Sequence, residues 1–148
     1  MENSAGAILL LVFLSNVMTS ICSDLRLEPQ TTGDTDAEQG YKDLATFLLV
    51  NGADINVGDK DGNTALMLAI RNENTEIATF LIENGADVNA KTDSGETVLM
   101  VAARNYEDAK FFIENGADIN SNDTHGKTAL IFEARKGYLE VGRLLIEN

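Results

Sequence analysis

One acidic stretch of the sequence has the residue types that could bind calcium. Residues 59–63 have the sequence DKDGN, and helix–loop–helix calcium sites carry Asp, Asn and an invariant Gly at similar spacings. With Gly62 in the sixth loop position, however, Val57 would occupy the first position and Leu68 the twelfth. Both positions require oxygen ligands. The spacing therefore predicts no calcium site in this stretch.

Side chains suited to catalysis are equally sparse. His125 is the only histidine, and no second His or nearby Cys accompanies it to form a nucleophile and base pair. Nothing in the sequence indicates a buried cleft that would separate the pKa values of paired carboxylates such as Asp59 and Asp61, and no Gly-rich phosphate-binding loop is present. We therefore expect no enzyme activity, no cofactor and no metal ion, and we interpret His125 as a surface contact residue.

The charge balance narrows the possible partners. The chain has 24 acidic and 11 basic side chains, which give a formal net charge of −13. Such a field repels phosphate backbones and anionic membrane surfaces, so nucleic acid is excluded as an expected partner. An acidic excess also serves simply to keep a protein soluble. Cys22 is the only cysteine, so no intramolecular disulfide can form.

The N-terminal segment resembles a targeting signal. An apolar run begins at Ala5 and ends at Ile21, and small residues follow it. This pattern predicts a signal peptide over residues 1–23 and a secreted or exported protein. Because Glu2 is the only charged residue ahead of the run, two alternatives stay open: an uncleaved membrane anchor, or a cytoplasmic protein whose start is mis-assigned. Residues 24–39 are polar and acidic, which favours a linker or a degenerate half-repeat.

Two short phrases recur together along the rest of the chain. NGADIN or NGADVN begins at residues 51, 84 and 115, and DGNTAL, SGETVL or HGKTAL begins at residues 61, 94 and 125. Both phrases therefore repeat at intervals of 33 and then 31 residues. Self-similarity at such a period indicates a stack of supersecondary units.

Each repeat contains the signals of two helices. Thr64, Thr97 and Thr128 precede apolar runs and suit the N-cap position. A second helix follows, with apolar residues at helical spacing, and ends at Asn-Gly. The expected core residues of these second helices are Leu44, Phe47, Leu48, Ile77, Phe80, Leu81, Val141, Leu144 and Leu145. Gly52, Gly85 and Gly116 are expected to adopt the left-handed conformation that closes a helix.

These motifs resemble the ankyrin repeat, over about Gly40 to Asn148. The resemblance implies an all-α solenoid of stacked helix–turn–helix units with extended finger turns, formed by a domain at residues 40–148. It also implies a monomeric protein-interaction module that binds a protein partner on its concave side; a structural scaffold segment of a larger repeat protein is the alternative. The family's usual Pro is replaced by Ala65, Val98 and Ala129, and its usual His by Met67, Met100 and Ile131.

The resemblance also implies which residues contact a partner, since variable positions in the family lie at the fingertips and after the first helix. Matched onto this chain, they are Lys60, Asp61, Asn63, Arg71, Asn72, Asp93, Ser94, Glu96, Arg104, Asn105, Thr124, His125, Lys127, Arg135 and Lys136. Arg71, Arg104 and Arg135 share one register, which predicts a row that binds an acidic segment of the partner. The same arginines could instead complement helix C-termini or pair with finger carboxylates.

Two irregularities generate further expectations. The middle repeat is two residues short. Alignment of the stretches that begin at Arg71 and Arg104 predicts that the deletion lies in the turn between its helices, and it places Asp108 at the position of Ile77 and Val141. We therefore expect its second helix to start late or to be rotated, with Ala109, Phe111 and Phe112 facing the core. Glu133 occupies a position that Ala fills in the earlier repeats, and we expect it to lie on an open face of a terminal repeat.

Overall fold

The computed structural model describes residues 42–43, 45–50 and 52–148, which form an all-α stack of helical hairpins. Three hairpins follow a helical segment at residues 42–43 and 45–50. The predicted signal peptide (1–23), the predicted linker (24–39) and Leu44 lie outside the described residues. The helices are α1 (Ala65–Arg71), α2 (Thr75–Glu83), α3 (Val98–Ala102), α4 (Tyr106–Glu114), α5 (Ala129–Lys136) and α6 (Leu139–Glu147).

Threonine begins the first helix of each hairpin, as predicted. The hydroxyl oxygen atoms of Thr64 and Thr97 accept hydrogen bonds from the amides of Met67 and Met100, both at 3.4 Å. Thr128 stands at the same N-cap position, but its hydroxyl makes no capping bond. Two of the three first helices therefore have a side-chain cap that satisfies an otherwise unpaired N–H group.

The second helices end in a left-handed glycine, again as predicted. Gly52, Gly85 and Gly116 have φ values of 85°, 91° and 86°. This conformation lets the amide of Ala86 reach the carbonyl of Leu81 at 2.9 Å, and that of Ala117 reach Phe112 at 2.9 Å. Glycine adopts positive φ without steric cost, so it closes the helix and turns the chain toward the next finger.

An asparagine after each of the first two closures connects neighbouring repeats. The Oδ1 atom of Asn89 accepts from the amide of Asp118 at 2.8 Å, and its Nδ2 donates to the carbonyl of Gly116 at 3.0 Å. Asn56 makes the equivalent bonds to Asp87 and Gly85, at 2.7 Å and 3.4 Å. Each side chain therefore bridges two backbone groups of the following repeat and fixes its distance and orientation.

The fingers are also joined directly through their backbones. The amide of Asp93 donates to the carbonyl of Asp61 at 3.1 Å, and that of Thr124 donates to Ser94 at 2.9 Å. Gly95 makes the second approach possible, since a Cβ atom there would lie 2.8 Å from the Thr124 nitrogen. Within each finger an isolated antiparallel bridge pairs the two arms: Gly58 with Thr64, Lys91 with Thr97, and Asn122 with Thr128.

The core lies between the helices of successive hairpins. In the first helices Leu66, Met67 and Leu99 are almost fully buried, and in the second helices Leu81 and Phe112 are. Most of the predicted second-helix residues confirm this arrangement, because Ile77, Val141 and Leu145 are also buried and Leu48, Phe80 and Leu144 pack against the core. Phe47 is an exception with 63% of its surface exposed, since it lies on the outward side of the helical segment before the first hairpin.

The shortened middle repeat loses its residues from the first helix and not, as predicted, from the turn, which has the same length in both repeats. Helix α3 has five residues where α1 has seven, whereas α2 and α4 both have nine. The expectation of a late or rotated second helix is therefore wrong: α4 keeps the full length of α2. Ala109 and Phe112 are fully buried and Phe111 packs against the core, as expected.

Because α4 keeps its register, Asp108 does stand at the position of buried Ile77 and Val141. Its Oδ1 atom accepts a long hydrogen bond of 3.5 Å from the Thr75 hydroxyl of the preceding repeat. Burial raises the pKa of Asp108 above its ordinary value, and the nearby carboxylates of Glu73 and Glu107 raise it further. The charged form of Asp108 is therefore unfavourable in the folded protein.

The expectation for Glu133 is also wrong. Only 1% of its surface is exposed, so it does not lie on an open face of the terminal repeat. By contrast, Leu139 and Ile146 on the outer side of α6 are 83% and 73% exposed.

Asn89→Ala should lower the free energy of unfolding by about 1 kcal/mol, because two backbone groups lose their inter-repeat partner. Asn120→Ala is the matched control, since Asn120 holds the same repeat position but its side chain makes no hydrogen bond to the described residues. Urea denaturation of both variants provides the measurement. Equal losses of stability would show that the bridging bonds do not couple the repeats.

Asp108→Val should raise the free energy of unfolding at neutral pH by about 1 kcal/mol, because it replaces a half-buried carboxylate with an apolar side chain. A raised folded pKa destabilises the protein above that pKa. The gain should therefore shrink as the pH falls through the folded pKa toward the ordinary value of 3.8. Glu83→Gln, which removes an exposed carboxylate, serves as the control in denaturation at several pH values. A gain independent of pH would contradict the assigned burial of the charge.

Candidate functional site

The inter-finger bonds bring the predicted fingertip residues side by side. Lys60 and Asp61 occupy the first tip, Asp93 and Ser94 the second, and Thr124 and His125 the third; all are exposed. We define the finger surface as these six residues together with the C-terminal ends of α1, α3 and α5. Because backbone bonds hold the tips in register, their side chains form one continuous polar surface.

One residue before each tip shapes the finger from inside. Asp59 Oδ1 accepts from the amides of Asp61 and Asn63, both at 2.9 Å, and Asp123 Oδ1 accepts from those of His125 and Lys127, both at 2.8 Å. In the middle finger the hydroxyl of Thr92 replaces the carboxylate and accepts from the Glu96 amide at 3.0 Å. Sequence reasoning missed this role, although the Asx-turn preference of Asp before a Gly-containing turn indicates it.

These bonds explain the charge state of the finger carboxylates. Burial alone would raise the pKa of Asp59, but hydrogen bonds from Asn63 and Asp61 outweigh it and lower the pKa. The Lys127 amide makes the largest contribution to the lowered pKa of Asp123. Donors directed at a carboxylate favour its ionised form. The DKDGN stretch therefore uses its first carboxylate to hold the turn.

Several predicted contact residues have structural roles inside the finger surface. Asn63 donates from Nδ2 to both carboxylate oxygen atoms of Asp59 at 3.1 Å and is half-buried. Lys127 lies with Nζ 5.8 Å from the centre of the Phe132 ring, a cation–π distance. Asn72 donates to the Leu68 carbonyl at 2.6 Å, and Asn105 caps α4 by accepting from the Glu107 amide at 2.9 Å. These four side chains make contacts within the protein that hold the finger surface in place.

The arginines at the common register differ from one another. Arg71 Nη2 lies 2.8 Å from Glu96 Oε2 and forms a salt bridge with this finger carboxylate of the next repeat. Arg104 is exposed and forms no salt bridge within the described part of the chain. The side chains of Arg135 and Lys136 lie outside that part. Of the two arginines at this register whose side chains are described, only Arg104 therefore has a guanidinium group outside a salt bridge.

His125 lies at the exposed tip of the third finger. Its Nδ1 atom is 3.9 Å from Asp123 Oδ2 and 3.4 Å from the Thr124 hydroxyl. Across residues 42–43, 45–50 and 52–148, no three His, Cys, Asp or Glu side chains are grouped closely enough to hold a metal ion. In the same ranges no helix has the length and apolar character needed to cross a bilayer.

Comparison with known proteins agrees with this architecture. The family model for ankyrin repeats, which describes three copies, matches residues 36–123 and again residues 92–148. A search of curated proteins finds no significant match. The family match and the stacked helical hairpins with fingers point to the same conclusion: the chain belongs to the ankyrin-repeat family.

Proposed function

We propose that this protein is an interaction module that binds a protein partner through the finger surface, the concave side of an ankyrin stack. Ankyrin repeats generally bind protein partners, and the family is typically non-enzymatic. The observation that carries the proposal is the alignment of three exposed polar fingertips by backbone bonds at 3.1 Å and 2.9 Å. A surface fixed in this way loses little conformational entropy on binding.

The partner segment that faces the first-helix ends is proposed to be acidic. Arg104 supplies a guanidinium group that can form two parallel hydrogen bonds with a carboxylate. Arg71 can contribute only by exchanging Glu96 for a carboxylate of the partner, because these two residues form a salt bridge at 2.8 Å. We place the main ionic contact at Arg104 and the polar contacts at the fingertips, and we propose that the module binds as a monomer.

A role as a structural segment of a larger ankyrin-repeat protein is the second candidate. It is favoured by the apolar outer side of α6, where Leu139 and Ile146 are exposed. The equivalents of Ile146 in the inner repeats, Ile82 and Ile113, pack against the core, as expected where a further repeat follows. Transcript sequencing that continues the reading frame past Asn148 into further repeats would support this candidate.

Export is proposed on the N-terminal sequence alone. If residues 1–23 are a signal peptide, mass spectrometry of the native protein should find an N-terminus directly after Cys22 or Ser23. A peptide that contains Met1 in the native protein would contradict cleavage. The sequon Asn122-Asp123-Thr124, on an exposed part of the third finger, would be available for N-glycosylation in a eukaryotic secretory pathway.

The binding proposal predicts that replacing Arg71, Arg104 and Arg135 with Ala abolishes partner binding but not folding. The measurement is affinity capture with the full chain as bait, followed by cross-linking to locate the contact. The matched control replaces Lys42, Lys110 and Arg143, three cations on second helices or the preceding segment, and removes the same charge.

Proteins captured by the wild type and by the control variant, but lost with the triple arginine variant, would support the proposal. Their cross-links should connect acidic segments to the finger surface. Proteins retained equally by all three baits would contradict binding at this surface. Circular dichroism of each bait establishes that the fold is retained.

A further inference from the structure

The shortened middle repeat leaves a cavity between two interhelical turns. The cavity has a volume of about 630 Å³ and lies between the α1–α2 turn, at Glu73, and the α3–α4 turn, at Asn105. Helix α3 has two residues fewer than its counterpart α1, whereas the turns that follow the two helices, residues 72–74 and 103–105, have the same length. The lining of the cavity is mainly polar, and Ile70, Val101 and Ala102 contribute its smaller apolar part, which we call the floor.

One carboxylate in this cavity is poorly satisfied. Asp108 stands where Ile77 and Val141 are buried in the flanking repeats, and within the described part of the chain its side chain accepts the 3.5 Å hydrogen bond from Thr75. A bond of that length is near the limit of useful geometry. The charges that act on Asp108 are those of Glu73 and Glu107, and both are negative. A cation placed beside Asp108 would therefore be stabilised by its surroundings.

Other residues around the cavity suit a long side chain with a positively charged end. Tyr106, which is 40% exposed, lines the cavity and offers an aromatic ring to a cation. The apolar floor can cover the methylene groups of such a side chain. Arg71 also lines the cavity, but its guanidinium group is paired with Glu96.

We propose that this cavity binds a basic side chain, arginine or lysine, from the protein partner, with its charged end on Asp108 and its methylene groups on the floor formed by Ile70, Val101 and Ala102. The inference rests on the proposed function, because it assigns the side chain to the partner that the finger surface binds. Arg104 lines the same cavity. The partner segment therefore carries a basic residue next to acidic ones. The net charge of −13 favours the approach of the basic residue.

The test uses N-acetyl-arginine amide as a probe of the full chain and follows backbone amide signals by NMR. Saturable shifts are expected at Glu73, Thr75, Asn105 and Asp108, with millimolar affinity, as befits a small ligand. Asp108→Asn should weaken this binding about tenfold or more. Glu83→Gln, which removes an exposed carboxylate away from the cavity, should leave it unchanged.

Three results would overturn the proposal: no saturable shifts with the arginine probe, equal binding by Asp108→Asn, or preferential binding of N-acetyl-glutamate amide at the same amides. A second measurement does not depend on a variant. The pKa of Asp108, followed through its carboxyl carbon in the wild-type chain, should fall as the arginine probe saturates the cavity, and an unchanged pKa would also overturn the proposal. The probe does not require the fingertips, so failure here leaves the capture experiment to decide the proposed function by itself.

Discussion

The structure depends on hydrogen bonds that join each repeat to the next. Asn56 and Asn89 each bridge two backbone groups of the following repeat, and the fingers add direct amide-to-carbonyl bonds at Asp93 and Thr124. A single helical hairpin cannot bury its apolar side alone, so stability comes from stacking. The bridging bonds determine how the hairpins stack, and thereby where every fingertip and every first-helix end is placed.

The proposed binding of a protein partner follows from that fixed geometry. The exposed fingertips lie in register because their backbones are bonded to one another, so the proposed partner would meet a surface that is already ordered. The middle repeat departs from the regular pattern at one place, where a shortened α3 opens a cavity beside Arg104 and Asp108. The regular repeats hold the fingertips in register, and the cavity distinguishes the middle repeat from its neighbours.

The features that the sequence predicts correctly are local. Thr64 and Thr97 cap helices, and Gly85 and Gly116 close them, because capping and positive φ depend on residues only a few positions away. The repeated phrases then predict the stack, since units of this kind must pack on one another. The family match confirms that inference for most of the chain.

The features that the sequence does not predict depend on contacts between elements. Sequence alignment places the missing residues of the middle repeat in the turn, but in the structure α3 is shortened while α4 keeps its register. Whether Glu133 is buried depends on how α5 and α6 pack against each other. The site residues divide in the same way: Lys60 and His125 are exposed as expected, whereas Asn63 and Arg71 are engaged within the protein.

Native-state amide hydrogen exchange tests the central claim most directly, because it measures the free energy needed to open each bond. The amides that donate across repeats belong to Asp87, Asp93, Asp118 and Thr124. If the stack is one cooperative unit, these four amides should exchange with an opening free energy similar to that of buried helical amides such as Leu81 and Phe112. Fast exchange of the four amides while the helices stay protected would contradict the account.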